Sequence, residues 1–246
     1  VGNEIMVSVC CIAYNQERFI KQTIESFIMQ KTSFKFEILI HDDASTDRTA
    51  EIIREYENRY PELIKTVIQT ENKCKEGMMS GYFYGYEPFP TYLFPLAKGK
   101  YLALCEGDDY WTDPKKLQKQ VEFMEEHPEC SMCYHKTDML FSDGRKSPFD
   151  PHKTGNRSFS SKELIATPSG IATASKMLRN YYNEQTKQDY LDFSGDCLLT
   201  TYYGIYGNCG FIEDIKPSVY RIHPDGVWSG KTYQQQRLLV WNMYNR

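Results

Sequence analysis

The sequence predicts an α/β protein with a mostly parallel, Rossmann-like central sheet flanked by helices, and three observations lead there. Short apolar runs of strand length are bounded by polar residues: Val7–Ala13 (VSVCCIA), Phe36–Ile40 (FEILI), Lys65–Thr70 (KTVIQT) and Lys100–Cys105 (KYLALC). Between the first three lie stretches whose apolar residues recur at helical spacing. The two signals alternate over the first half of the chain, which is the pattern of βαβ units.

The elements follow in order. After the first strand, Phe19, Ile20, Ile24, Phe27 and Ile28 mark one face of a helix that runs to Gln30. Residues 44–61 (ASTDRTAEIIREYENRYP) form a second helix, with Ser45, Thr46 and Asp47 as capping side chains and Pro61 as its stop. Thr112-Asp113-Pro114 opens a third, a capping side chain followed by proline at the first helical position. Leu117, Val121 and Met124 give it an apolar face and Pro128 ends it. The second half is less regular. CSMCYHKTDMLF (130–141) reads as one strand and SDGRKSPFDPHKTGN (142–156) as a turn-rich loop. Helices are expected near 161–166, 172–182 and 196–206, short strands at 211–215 (FIEDI) and 219–223 (VYRIH), and a last helix over 233–246. No repeat or interdomain linker interrupts residues 1–246, so a single domain with a smaller second subregion is expected.

Composition narrows the classes. With 41% hydrophobic and 25% charged residues, the chain has the balance of an ordinary soluble globular protein. The net charge of −4 supplies no general field for nucleic acid, and an anionic ligand would need local help. No run of 18 apolar residues is present, and VGNEIMVSVCCIAYN lacks the basic-then-apolar pattern of a signal peptide. Of the eight cysteines, those in VSVCCIAY, YLALCE and CSMCYH sit inside apolar runs, which fits buried, reduced thiols in the cytoplasm. Cys130 and Cys133 form a lone C-x-x-C; His127 and His135 lie near, but the alternation of CSMCY favours a strand over a zinc site.

In an open α/β sheet, ligands bind outside the carboxyl ends of the strands. The polar residues there are Tyr14 and Asn15 after the first strand, His41, Asp42 and Asp43 after the second, and Glu106, Asp108 and Asp109 after KYLALC. Tyr14 suits a stacking platform for a ring as well as rim packing. Asp42 and Asp43 exceed what capping requires, because Ser45, Thr46 and Asp47 already supply it. In CEGDDYWTDP (105–114), TDP explains itself as a helix start. EGDD is left over. Carboxylates this close repel unless a cation lies between them, and oxygen donors favour Mg²⁺ or Mn²⁺ together with substrate phosphates. Asp196 opens an apolar helix, where it serves as a cap or as a base for a hydroxyl.

Read together, these segments resemble the family 2 glycosyltransferases of GT-A fold. The resemblance is carried by VSVCCIAYNQERFIKQTIESFIMQ, FEILIHDDASTDRT and KGKYLALCEGDDYWTDPKKLQKQVEFMEEHP, and weakly by GD at 195–196 and YRIH at 220–223. It implies an enzyme that moves a sugar, with inversion, from a nucleotide-diphosphate sugar to an acceptor hydroxyl. Residues 1–110 would be the donor half, and 111–246 the acceptor half with the C-terminal helix. Tyr14, with Asn15 beside it, would border the base; Asp43, with Asp42, would bond the base or ribose. EGDD stands at the family's D-x-D motif, with Glu where Asp is frequent. Asp109 would then ligate Mn²⁺ or Mg²⁺, with Glu106 and Asp108 on the ribose or assisting the metal. Asp196 matches the catalytic base. His223 joins as a metal ligand, and Arg221 lies on the segment near the diphosphate. The implied partners are a UDP-sugar and a saccharide or lipid-linked saccharide acceptor in bacterial-type surface polysaccharide or glycoconjugate synthesis. The implied place is the cytoplasm or the inner face of the membrane.

Two rival readings compete with this one. A sugar-nucleotide nucleotidyltransferase would want a glycine-rich basic loop after the first strand, where this chain reads AYNQERF. A binding module that has lost turnover would not need Asp43, Asp109 and Asp196 together.

Overall fold

The structure, a computed structural model, describes residues 4–73, 88–149, 155–166, 170–192, 196–226 and the single residues 230, 232 and 234. The predicted 233–246 helix lies outside the described residues, apart from residue 234.

The frame is a seven-stranded sheet. β1 (Ile5–Ala13), β2 (Lys35–Asp42) and β3 (Ile64–Ile68) run parallel, and β4 (Tyr101–Glu106) lies parallel on the other edge of β1. The order continues through β8 (Met177–Arg179), β5 (Cys130–His135) and β9 (Asn208–Ile212), with β8 antiparallel to both its neighbours. Strand order reverses at β1. The chain goes outward through β2 and β3, then returns to place β4 on the opposite side, so the rim above β1 and β4 is a switch point of the kind that binds ligands.

The continuous apolar character of VSVCCIA follows from burial on both faces. On one face Val7, Val9 and Cys11 pack under α1 (Ile20–Ile28), α2 (Thr49–Arg59) and α3 (Lys116–Glu126). On the other, Cys10, Leu102 and Leu104 meet Phe89, Leu93 and Phe94, with Tyr190 of α5 (Lys187–Asp192) and Leu199, Tyr202 and Tyr203 of α6 (Asp196–Tyr206) in the same core. α4 (Ser161–Ala166) packs on α6, where Gly204 makes room for Leu164 and Ile165. No helix among the described residues is long and apolar enough to cross a membrane.

Four expectations change. The 130–141 run is not one strand. It breaks at Lys136, so that β5 belongs to the large sheet, while β6 (Thr137–Phe141) joins a second sheet ordered β10-β6-β7. There β10 is Ser218–Ile222 and β7 is Lys146–Pro148. The turn-rich 142–156 segment contributes β7, a hairpin partner of β6 turned by Gly144 at φ +85°. Residues 172–182 are not a helix. A short 3₁₀ turn, Thr173–Ser175, leads into β8. Ile171 to Leu178 is buried throughout, so its apolar pattern carries no period that separates strand from helix. The last strand before the small sheet, β9, also begins three residues earlier than FIEDI.

Candidate active site

Two loops and one turn meet at the switch point. Gly107 N–H donates to Ile12 O (2.8 Å) and Asp43 N–H to Ala13 O (3.0 Å), which seats the ends of β4 and β2 against the end of β1. Gly107 is there for space. A Cβ would meet the Gln16 Oε1 at 2.4 Å and Ala13 and Ile20 side chains at 3.0 Å.

The loops after β1 and β2 are tied by crossed hydrogen bonds. Asn15 N–H donates to Ser45 Oγ, and Asn15 Oδ1 accepts from Thr46 N–H, both at 2.8 Å. Gln16 N–H donates to Thr49 Oγ1, Glu17 N–H to Asp47 Oδ2, and Arg48 N–H to Glu17 Oε2. Asn15 and Ala44 take left-handed φ values of 50° and 57°, conformations that non-glycine residues adopt sparingly. Tyr14 is left exposed on this rim. Asp42 is buried, and its two oxygens accept from the Ser45 backbone and hydroxyl, so it shapes the loop. Burial moves its pKa up, against the bonds from Ser45. Asp43 accepts from Lys73 N–H (2.9 Å) through Oδ1, and its carbonyl takes the Asn72 amide. Beside it, His41 stacks on Tyr92, ring centroids 4.5 Å apart, and burial lowers its pKa to about 4.

The acidic turn is held from two sides. Helix α1 turns polar groups inward at Thr23 and Ser26, and Gln30 does so just past its end. Thr23 Oγ1 lies 2.8 Å from Gly107 O and 2.6 Å from Asp109 O; Ser26 Oγ accepts from Trp111 N–H; Gln30 bonds Asp113 O and Leu117 N–H. From the other side, residues 109–113 run antiparallel to 216–221. Tyr110 and Val219 exchange two backbone bonds (3.2 and 2.9 Å), Thr112 Oγ1 donates to Pro217 O, and Lys216 N–H donates to Asp113 Oδ2.

This sets Asp108, Asp109, Arg221 and His223 side by side. Asp109 points into the fold, 1% exposed, and its Oδ1 accepts Arg221 N–H at 3.0 Å. Burial, reinforced by Asp108 and Glu106, holds its carboxyl well above the usual carboxylate range. Asp109, expected as a metal ligand, thus lies beneath the turn with Oδ1 on the Arg221 amide. Asp108 faces the partly open side, and its Oδ2 lies 3.0 Å from His223 Nε2. The Arg221 guanidinium is not directed at open space. Nη1 donates to Asp108 O and Nη2 to Gln22 Oε1, between the rings of Phe19 (5.0 Å) and Tyr110 (4.5 Å). Glu106 ends β4, half-buried on the same rim. Asp196 is the first residue of α6; its side chain lies outside the described residues, as does Gly195.

The pair Asp108–His223 suits a small divalent cation. Two donors in neighbouring positions of an octahedron with bonds of about 2.1 Å stand about 3 Å apart, which is the spacing found. Among the described residues no group of three His, Cys, Asp or Glu side chains could hold an ion. A site with two protein donors is one that phosphate oxygens and water would complete.

Residues 8–81 match the family model described as glycosyl transferase family 2. Over that segment the chain is similar to the family 2 glycosyltransferases. The chain is 35% identical over 225 residues to an uncharacterized protein of Mycobacterium tuberculosis, covering 90% of the chain and 60% of that relative's length. Over 120 residues it is 35% identical to the UDP-Glc:alpha-D-GlcNAc-diphosphoundecaprenol beta-1,3-glucosyltransferase WfaP of Escherichia coli, 49% of this chain and 41% of that protein. Its fold matches the mannosyltransferase PcManGT of Pyrobaculum calidifontis, solved with GDP-Man and Mn²⁺, at a TM-score of 0.65 and 17% identity, over 92% of this chain and 60% of that one. The chain thus spans about 60% of the first of these relatives. Sequence reasoning missed the site contacts of Gln16, Phe19, Gln22 and the Thr23–Ser26–Gln30 stripe. The stripe had a signal: polar residues interrupt the apolar face of α1 at positions that share it with Ile20 and Phe27.

Proposed function

We propose that the protein is a metal-dependent inverting glycosyltransferase that moves a sugar from a UDP-sugar to a hydroxyl of a saccharide or lipid-linked saccharide, in the synthesis of surface polysaccharide or glycoconjugate. The observation that carries this reading is the convergence of Asp108 and His223 at 3.0 Å on the switch-point rim, beside the tied loops that bear Tyr14 and Asp43. WfaP, as its name states, takes a UDP-sugar to a diphosphoundecaprenol-linked acceptor, and PcManGT was solved with a nucleotide sugar and Mn²⁺.

In this reading, Tyr14 borders the base and Asp43 bonds the base or ribose, with Asn15 and Asp42 fixing the loops that carry them. Asp108 and His223 hold Mn²⁺ or Mg²⁺, while Glu106 serves the ribose and Asp109 backs the turn. The bound metal supplies Lewis-acid stabilisation of the departing diphosphate. Asp196 takes the proton from the acceptor hydroxyl as that oxygen attacks the sugar from the face opposite the diphosphate. A single base suffices for inversion, in contrast to the two carboxylates of glycoside hydrolysis. Residues 1–110 serve the donor and 111–246 the acceptor.

The test is donor binding and turnover. UDP- and GDP-sugars are screened by thermal shift and nucleotide release, with and without Mn²⁺. A UDP-sugar should raise the melting temperature only with metal. Asp196→Asn should keep that shift and lose at least ~100-fold in transfer. Absence of metal-dependent binding by any nucleotide sugar rejects the reading, and full transfer by the Asp196→Asn variant rejects the base.

A further inference from the structure

The geometry points to Arg221 as a positioning residue whose guanidinium fixes the Asp108 carboxylate against His223 before any ligand arrives. This rests on the transferase reading above and assigns Arg221 a task different from touching the diphosphate.

Five contacts define its place. The Arg221 backbone N–H caps Asp109 Oδ1 at 3.0 Å, and Nη1 bonds the carbonyl of Asp108. Nη2 bonds Gln22 Oε1, across from α1. The guanidinium plane lies between Phe19 and Tyr110, 5.0 and 4.5 Å from their centroids. The side chain is thus held on both faces and at both forks, and the residue is only 8% exposed. An incoming phosphate would have to displace one of these bonds to reach it.

What the guanidinium holds is the peptide carbonyl that follows the Asp108 side chain, bonded by Nη1. The Arg221 backbone amide secures the next residue through the Asp109 carboxylate. Two residues further along, just past β10, His223 places Nε2 3.0 Å from Asp108 Oδ2 and rests on the Phe19 ring that also flanks Arg221, 4.8 Å between centroids. One ring and one strand edge therefore register both members of the pair. Lysine would keep the charge and lose the planar fork that spans two acceptors while stacking on two rings. Groups that orient metal ligands in this way change metal affinity by about 10- to 100-fold when removed.

The experiment measures Mn²⁺ binding to the whole chain with UDP present, from the paramagnetic resonance signal of free Mn²⁺. Arg221→Lys should weaken Mn²⁺ binding at least ~10-fold, and Gln22→Leu, an exposed change that releases one fork, should weaken it less and in the same direction. Because Arg221 acts through Asp108, the Asp108→Asn/Arg221→Lys pair should bind Mn²⁺ no worse than Asp108→Asn alone. Full Mn²⁺ affinity in both Arg221→Lys and Gln22→Leu, or additive losses in the double variant, overturns the positioning role. If Arg221→Lys does not fold, the Gln22→Leu titration decides alone. Wild-type protein that takes up no Mn²⁺ with UDP overturns this inference and the transferase reading together. Wild-type uptake with unchanged variants overturns this inference only.

Discussion

Lys116 carries an ammonium group into the core. It is fully buried, its Nζ 2.7 Å from Gln120 Oε1 and 3.9 Å from the centroid of the Trp111 ring, close to the Cys105 and Cys133 thiols. Burial pushes its pKa down to about 7, against about 10.4 for a lysine in an unfolded chain. The sign follows from proton counting. Between those values the unfolded chain holds a proton that the folded protein lacks, so this group's contribution is whole above the unfolded pKa. It is lost as pH falls towards about 7, at up to ~1.4 kcal/mol per unit, and is level below that. Lys116→Met removes the titration but strands Gln120 Oε1, at a cost of about 1–3 kcal/mol. Urea unfolding at pH 7 and pH 9.5 should show wild-type protein gaining stability relative to the Lys116→Met variant at the higher pH. An unchanged difference between the two proteins at both pH values would count against a buried neutral lysine.

At the scale of elements, the start of α3 shows how one side chain joins two layers. Asp113 Oδ1 accepts Lys115 N–H, and Oδ2 accepts Lys216 N–H and the Lys119 ammonium. Burial alone would raise its pKa; those donors outweigh it and carry the carboxyl below its ordinary value. Its contribution is therefore present above the unfolded pKa of about 3.9 and lost as pH falls through the lower folded value. Asp113→Ala should cost about 1–2 kcal/mol at pH 7, read from the urea midpoint, as loss of a cap and its tie. That deficit should shrink as the pH is lowered towards 3. The helix start was legible in TDP, but the tie to Lys216 was not, because it spans 103 residues. The same distinction runs through the molecule. β1, β2, β3 and β4, and the helices beside them, were legible because period is a local property; the expected caps Ser45 and Thr46 instead bond Asp42 and Asn15, and the helix after them starts only at Thr49. β8 was not, since a three-residue strand buried on both faces has no period to read. The acids of the rim were legible as a surplus over capping needs. Which of them faces His223 was not, since Asp108 and Asp109 differ only in how the small sheet turns the backbone between them.

For the whole molecule, the consequence is that the acidic turn belongs to two sheets at once. β4 delivers it from the large parallel sheet, whose strands lie in a core with many residues fully buried. The small β10-β6-β7 sheet reaches it through the Tyr110–Val219 bridge and the bonds on either side. The small sheet's outer strand, β7, is three residues long with two of them exposed, so the small sheet should open locally at lower cost than the large one. Amide hydrogen exchange should then rank the Tyr110 and Val219 amides faster than those of Val9 and Cys11. UDP with Mn²⁺ should slow the first pair far more than the second, because a ligand that needs Asp108 and His223 together binds only the closed arrangement. Tyr110→Pro removes one donor of the bridge and should leave the β1, β2 and β4 amides protected while abolishing that slowing. Equal protection of both sheets in the free protein, or slowing by UDP and Mn²⁺ that survives the proline, would mean that the bridge does not couple the small sheet to the site.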